Sequence, residues 1–362
     1  MTKKFKYLRL SALYHLMDGL SFDVPACAEV FESALAQLNL LNGLPDSIVQ
    51  LNRRGGHASG PLKLSGRGGA IIEVMESSSP THGKMHMATV LENKDEVERT
   101  PAVFLSMRSI ALDIPMRVEI PMRTLLRGGP DLVGTYVVYL HVLLSDDDKD
   151  FVYYGITKRG WNLRFEEHMK AALKTKQARL FPQKLADLID ARVAQRAGKE
   201  DERQKLAGVV TTLCAVGLDE DMAKDTEEYL VEKHSLASKH PLGLNMIPGG
   251  REGIRVLHQM SGRSPESLVE TEGREMAFVE YREKHPRNGL QNPGVAMAWN
   301  DPAYAEAVIC GRENRLSANQ VREIRYLAAT GQSLGSIKAA LGAVDDGQVR
   351  RVLSGRTYSR IL

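Results

Sequence analysis

Two closely spaced groups of tyrosines, an arginine and a histidine four residues apart, a glutamate and an asparagine fall within about a third of this chain. The run Thr135–Leu144, TYVVYLHVLL, is dense in β-formers, and an acidic turn at Ser145–Asp150 separates it from a second run, Phe151–Ile156. This predicts a β-hairpin. Tyr136, Tyr139 and Tyr153 stand on its strands, and Gly155 permits a bend or a close backbone approach. Asn162–Ala172, NLRFEEHMKAA, opens on an asparagine suited to capping and predicts a helix, on which Arg164 and His168 share one face. A further helical stretch, Asp225–His234, carries Glu227 beside Glu228, and the loop after it holds Asn245 in GLNMIPGG. Phenol, guanidinium, imidazole and carboxylate groups bind anions, move protons and hold metal ions. Each also has an ordinary structural use: strand tyrosines pack half-buried, and an Arg and a His one turn apart commonly form a solvated face.

The order of these features resembles a known module. GTY at Gly134–Tyr136, YYG at Tyr153–Gly155, R-x-x-x-H at Arg164–His168, EEYLV at Glu227–Val231, then Leu244–Asn245 and Gly249–Gly250, resemble the GIY-YIG nuclease family over roughly residues 134–250. Thr135 and Tyr154 depart from the pattern. Tyr139, in VVY, is an alternative first tyrosine; Tyr136 is preferred because it keeps both the glycine and the tyrosine of the motif. The resemblance implies phosphodiester hydrolysis with a divalent ion, Mg²⁺ or alternatively Mn²⁺, held by Glu227 as the sole protein carboxylate, with Glu228 its rival. It further implies that Tyr136 takes the proton of the attacking water, His168 orients or relays, Arg164 binds the scissile phosphate, Tyr153 positions water or phosphate, and Asn245 holds the local structure or the substrate. The partner implied is DNA. One such module cuts one strand per engagement, so double cleavage would call for a transient dimer on DNA or sequential nicking.

The remaining elements must position and target this chemistry. Residues 1–133 predict an α+β region of unassigned role, with helical spacing at Leu10, Leu13 and Met17 and at Phe31, Leu35 and Leu38, and β-like runs AIIEV, AVFLSM and MRVEIPM. Between them Leu51–Ala70 is Gly-, Arg- and Ser-rich, a surface loop or a phosphate-contacting one. The resemblance implies that residues 134–253 form the catalytic α/β domain, an antiparallel sheet flanked by helices, with Ala194–Lys205 a charged insertion. Residues 254–315, broken by prolines, read as a linker with short helices at Met276–Glu283 and Pro302–Val308. The whole is an α+β chain.

The last block, 316–362, reads as three helices capped by Ser317 and Ser333 and beginning again near Gly347, the helix-turn-helix arrangement. It resembles the tri-helical DNA-binding domains of homing and mobile-element nucleases. From Arg315 onward eight basic residues stand against three acidic, a net of +5 in a chain whose total is only +3. On that resemblance Gln348, Arg350 and Arg351 reach base edges, and Lys338, Arg356 and Tyr358 contact phosphates. The three cysteines, Cys27, Cys214 and Cys310, show no zinc-ligand spacing. No apolar run is long enough for a membrane span, and the expectation is a cytoplasmic, nucleoid-associated protein of bacterial or phage type. The main alternatives are a DNA-binding regulator with a degenerate nuclease domain and a restriction endonuclease.

Overall fold

The computed structural model describes residues 4–18, 20, 22–54, 69–79, 83–93, 100–109, 112–175, 178–199, 201–261, 269–285, 301–310, 315–341 and 345–361. Most of the basic stretch at Leu51–Ala70, and Met297 and Trp299 of the expected linker, lie outside the described residues.

The chain forms two compact units, Met1–His285 and Pro286–Leu362. The first opens with three helices, α1 (Leu10–Met17), α2 (Val24–Asn42) and α3 (Leu44–Arg53). Four strands follow, β1 (Gly69–Ser79), β2 (Gly83–Asn93), β3 (Ala102–Ser109) and β4 (Ile114–Pro121), then a single turn, α4 (Met122–Leu125). Next come the tyrosine-bearing hairpin, β5 (Tyr136–Ser145) and β6 (Phe151–Thr157), helices α5 (Trp161–Lys170) and α6 (Leu180–Arg196), and strand β7 (Leu206–Leu218). Helices α7 (Glu220–Leu230), α8 (Gly250–Ser261) and α9 (Thr271–Lys284) complete the unit. α5 and α7 each run on through a π-helical turn, Ala171–Thr175 and Val231–Ser235.

The seven strands make one sheet in the order β2-β1-β3-β4-β7-β5-β6. Four of its pairings are antiparallel; β1 with β3 and β4 with β7 are parallel. Strand alternation divides the side chains between two faces. On one, Ile72, Val74, Val103, Leu105, Val137, Tyr139 and Tyr153 join α2, α3, α5 and α6 in a core that runs from Tyr7 to Leu244. On the other, Tyr136, Val138, Ile156 and Leu218 pack with Ala223 of α7, and Tyr154 with Val231 and Leu236.

This sheet revises the expected boundaries. The division at residue 133 falls inside one unit, because β7 pairs with β4 on one side and β5 on the other. Trp161 of α5 also donates its indole N–H to the Leu16 carbonyl of α1 at 3.0 Å. The linker read from residue 254 likewise divides: α8 and α9 belong to the first unit. The stretch between His168 and Glu227, of which the sequence singled out the charged insertion Ala194–Lys205, supplies the seam strand β7.

In the second unit α10 (Pro302–Cys310) is followed by three helices, α11 (Ala318–Ala329), α12 (Leu334–Leu341) and α13 (Asp346–Leu353), close to the expected bounds. Ser317 and Gln320 form a reciprocal capping box, Ser333 accepts the Ser336 N–H, and Asp345 caps α13. The core is Val321, Ile324, Ile337, Val349, Val352, Tyr358 and Ile361. No helix among the described residues is long and apolar enough to cross a membrane.

A fragment beginning at Gly134 would bare the β4 side of β7 and lose the α1 contact of Trp161. Its expected state is molten or aggregating, with lost near-UV circular dichroism. A cooperative unfolding transition in that fragment would show that the two halves of the sheet are separable.

Candidate active site

β5 and β6 pair so that Tyr139 lies opposite Gly155 and His141 opposite Tyr153. Tyr139, His141 and Tyr153 therefore share the core face, while Tyr136, three residues from Tyr139, must point to the other. Tyr136 packs there among Val138, Ile156 and Ala223, with the Lys158 ammonium 5.8 Å from its ring. The tyrosine brought to the remaining candidates is thus Tyr139, which corrects the preference for Tyr136. Gly155 makes room for it: a Cβ at that position would stand 2.5 Å from the Tyr139 hydroxyl.

Arg164 and His168 of α5 are buried, 7% and 0% exposed, so the solvated-face reading does not hold. Both meet α9. Arg164 donates from Nη1 to Glu272 Oε2 and to Glu167 Oε2, each at 2.6 Å, and also contacts Glu270. His168 Nε2 lies 2.7 Å from Glu272 Oε1, and its ring meets Tyr153 edge-on with centroids 5.1 Å apart. The Tyr139 hydroxyl donates to Glu272 Oε1 and the Tyr153 hydroxyl to Glu275 Oε2, both at 3.4 Å. Glu275 also accepts the Met246 N–H at 2.9 Å.

Glu227 is fully buried on α7. Its Oε2 accepts from Arg274 of α9 and from the Gly250 N–H at 2.8 Å, while Oε1 has no hydrogen-bond partner among the described residues. Arg274, itself 0% exposed, also donates to the Gly250 carbonyl at 2.5 Å and to Thr271 Oγ1 at 3.0 Å. Gly250 has φ +52, and a Cβ there would meet the Lys224 carbonyl at 2.2 Å, so only glycine lets the loop come this close to α7. Glu228, half-buried, accepts the Glu252 N–H at 3.0 Å instead, so of this neighbouring pair it is Glu227 that meets Arg274. Asn245 is buried and binds backbone: Oδ1 accepts the Tyr154 N–H at 3.0 Å and Nδ2 donates to the Tyr154 carbonyl at 2.8 Å. It thereby ties the loop after α7 to β6 beside Tyr153.

These contacts set the protonation states. Burial pushes the Glu272 carboxyl up, but His168, Arg164 and Arg179 outweigh it and hold the group down at about 2. Burial prevails at Glu275, which is pushed up to about 7 despite the Met246 N–H and Arg179. It also prevails at Glu227, raised against the pull of Arg274. Burial and then the Glu272 charge hold Tyr139 well above the ordinary phenol range, with Arg164 opposing and Glu227 adding to the rise. Burial drives the neighbouring His141 well below its usual value, and its Nδ1 is 2.9 Å from Thr211 Oγ1.

Sequence reasoning missed Glu270, Glu272, Arg274 and Glu275. Their only signal was the density of charge in VETEGREM at 269–276, ahead of the helical piece assigned to a linker. In the second unit Lys338, Arg350, Arg351 and Arg356 are exposed and Gln348 is half-buried, while Lys338 Nζ lies 3.3 Å from Asp346. Tyr358, expected on phosphates, is instead 6% exposed in the core of that unit, where its hydroxyl accepts the Leu316 N–H at 2.9 Å.

The two α9 carboxylates have opposite effects on stability. Glu272, held low, stabilises above pH 4.5, and that contribution is lost as pH falls through about 2. Glu275, held high, has the reverse sign: stability falls as pH rises from 4.5 to about 7. In urea unfolding, Glu275→Gln should match wild type at pH 4 and exceed it at pH 8 by on the order of 2 kcal/mol. Glu272→Gln should lose about 3–5 kcal/mol at pH 8 by leaving Arg164 without its main counter-charge. A Glu275→Gln protein weaker than wild type at pH 8 would contradict the assignment.

Comparison of the chain with protein-family models, with curated proteins and with solved structures found no match.

Proposed function

We propose that the Met1–His285 unit is a metal-dependent phosphodiesterase of the GIY-YIG type acting on DNA, closed in the resting chain by its own helix α9. The second unit is its helix-turn-helix targeting module. The observation that carries this reading is the convergence of the Tyr139 and Tyr153 hydroxyls, the Arg164 guanidinium and the His168 imidazole on the carboxylates of Glu272 and Glu275. A carboxylate and a phosphodiester offer a guanidinium the same pair of anionic oxygens. The place of Glu272 is accordingly the seat of a scissile phosphate, with donors already aimed at it.

In this reading Arg164 binds a non-bridging phosphate oxygen and offsets the charge that builds on it. His168 orients the attacking water, and Tyr153 helps to place it. Tyr139 accepts the proton. With α9 in place the phenol is held protonated by burial and by Glu272; withdrawal of α9 removes Glu272 and Glu275 and leaves Arg164 to lower it. Glu227, whose buried Oε1 has no hydrogen-bond partner among the described residues, is fit to hold a divalent cation, and Arg274 supplies the positive charge beside it while α9 is docked. Mg²⁺ or Mn²⁺ bound there would stabilise the leaving oxygen. The exposed Lys338, Arg350, Arg351 and Arg356 supply the basic surface that the targeting module needs.

One observation favours a second reading, a DNA-binding protein that does not cut: the chain provides its own cation, Arg274, to the candidate metal ligand. Supercoiled plasmid separates the two. With Mg²⁺, a Glu272→Ala/Arg274→Ala protein should nick roughly 5- to 150-fold faster than wild type. EDTA should abolish the nicking, as should adding Glu227→Gln or Arg164→Ala to that background. A folded double variant that binds plasmid but never nicks it, with Mg²⁺ or Mn²⁺, would hand the case to the non-cutting reading.

The second unit has its own test. Deleting residues 316–362 should preserve nicking by the opened protein while weakening site preference and flattening the salt dependence of DNA binding. Unchanged preference would refute the targeting role.

A further inference from the structure

A second polar cluster lies between α2 and the β1–β2 hairpin, built from residues the nuclease reading does not use. Glu76 of β1 and His86 of β2 are directly opposite each other across the hairpin, and His86 Nε2 lies 3.1 Å from Glu76 Oε2. Cys27 stands in the first turns of α2, which packs on this hairpin, and is 0% exposed. Its thiol makes no hydrogen bond among the described residues. The donor atoms of Cys27, Glu76 and His86 all lie within 4.8 Å of one another.

We propose that Cys27, Glu76 and His86 form a binding site for a borderline divalent transition-metal ion, Zn²⁺ or Co²⁺, with three protein ligands and a fourth position open. Thiolate, imidazole and carboxylate together select such ions over Mg²⁺, which prefers oxygen alone. The spacing is close to what is required. Tetrahedral Zn²⁺ at ordinary bond lengths holds its ligand atoms about 3.4–3.6 Å apart, so His86 and Glu76 are nearly in place and Cys27 needs at most about 1.4 Å of approach.

Three features pre-position the ligands. The hairpin register sets Glu76 against His86. The Asp23 N–H, at the cap of α2, donates to Glu76 Oε2 at 2.7 Å and pins the helix that carries Cys27 to the carboxylate. Lys84 Nζ, 2.9 Å from Glu76 Oε1, supplies a counter-charge in the metal-free protein, and with 45% of its side chain exposed it can turn into solvent when a dication arrives. His86 also borders a cavity of about 480 Å³ shared with Glu29, Ser33 and Gln37, which gives an ion a way in. A bound ion would cross-link α2 to both strands of the β1–β2 hairpin. The proposal is independent of the α9 cluster and of any nuclease activity.

The test uses full-length protein stripped with EDTA, dialysed and titrated with Co²⁺. The expected result is one equivalent bound, with the ligand-field bands of four-coordinate Co²⁺, a thiolate-to-cobalt charge-transfer band, displacement by Zn²⁺ and a rise in Tm. Cys27→Ser should remove the charge-transfer band, and His86→Gln should weaken binding at least about tenfold. Lys84→Ala, which removes the competing ammonium from an exposed position, should tighten it. Cys214→Ser and Cys310→Ser should change nothing. Folded wild-type protein without a charge-transfer band overturns the proposal whatever the variants do. So does a band that survives in Cys27→Ser.

Discussion

A guanidinium and a carboxylate withdrawn from water must each find an opposite charge, and Arg164 and Glu227 find theirs on the same helix. Desolvating one ion costs several kcal/mol, and a buried charge left alone keeps that cost uncompensated. Glu272 and Arg274, two residues apart on α9, meet Arg164 and Glu227 respectively. α9 thus bridges α5 and α7 by charge, and both positions must be satisfied together. Burial lifts the Glu275 carboxyl and the phenols of Tyr139 and Tyr153, while His168 and Arg164 hold Glu272 low against the same burial.

The same requirement explains what the sheet contributes. A strand offers every second side chain to one face, so the hairpin delivers Tyr139 and Tyr153 together only because β5 and β6 are in register, and Gly155 alone leaves space for the Tyr139 hydroxyl. Asn245, bonded to both backbone groups of Tyr154, locks that register from the side. The position of the tyrosines is therefore a property of backbone pairing, and the charges of α9 close around them.

How much of this was legible depended on how local its cause was. The hairpin, the helix with Arg164 and His168, the helix with Glu227 and the capped helices of the C-terminal unit could be read from alternation and capping residues a few positions apart. Tyr136 was preferred by motif spelling; strand parity against Gly155 would have favoured Tyr139, since only residues an even number apart share a face. β7 was overlooked because LAGVVTTLCAVGL mixes glycine, threonine and small residues and is bulged against β5. Glu272, Arg274 and Glu275 were unreadable for a different reason: their charged and phenolic partners lie 47 to more than 100 residues away, and VETEGREM looks like solvated charge until the fold brings Arg164 to it. Tyr358 was misplaced because an aromatic in a basic tail looks like a nucleic-acid contact when the small core that absorbs it is not yet in view.

The seam strand also bears on how the chain is made. β7 emerges after both of its neighbours, and it joins β4 and β5 across roughly 90 and 70 residues of chain, separations that slow folding because loop entropy is lost before the pairing is gained. Until it arrives, β4 and β5 each present an unpaired edge, the form in which nascent chains most readily associate with one another. Synthesis of this protein thus passes through a stage in which two sticky edges await one strand, and the pace of translation between residues 145 and 218 sets how long they wait.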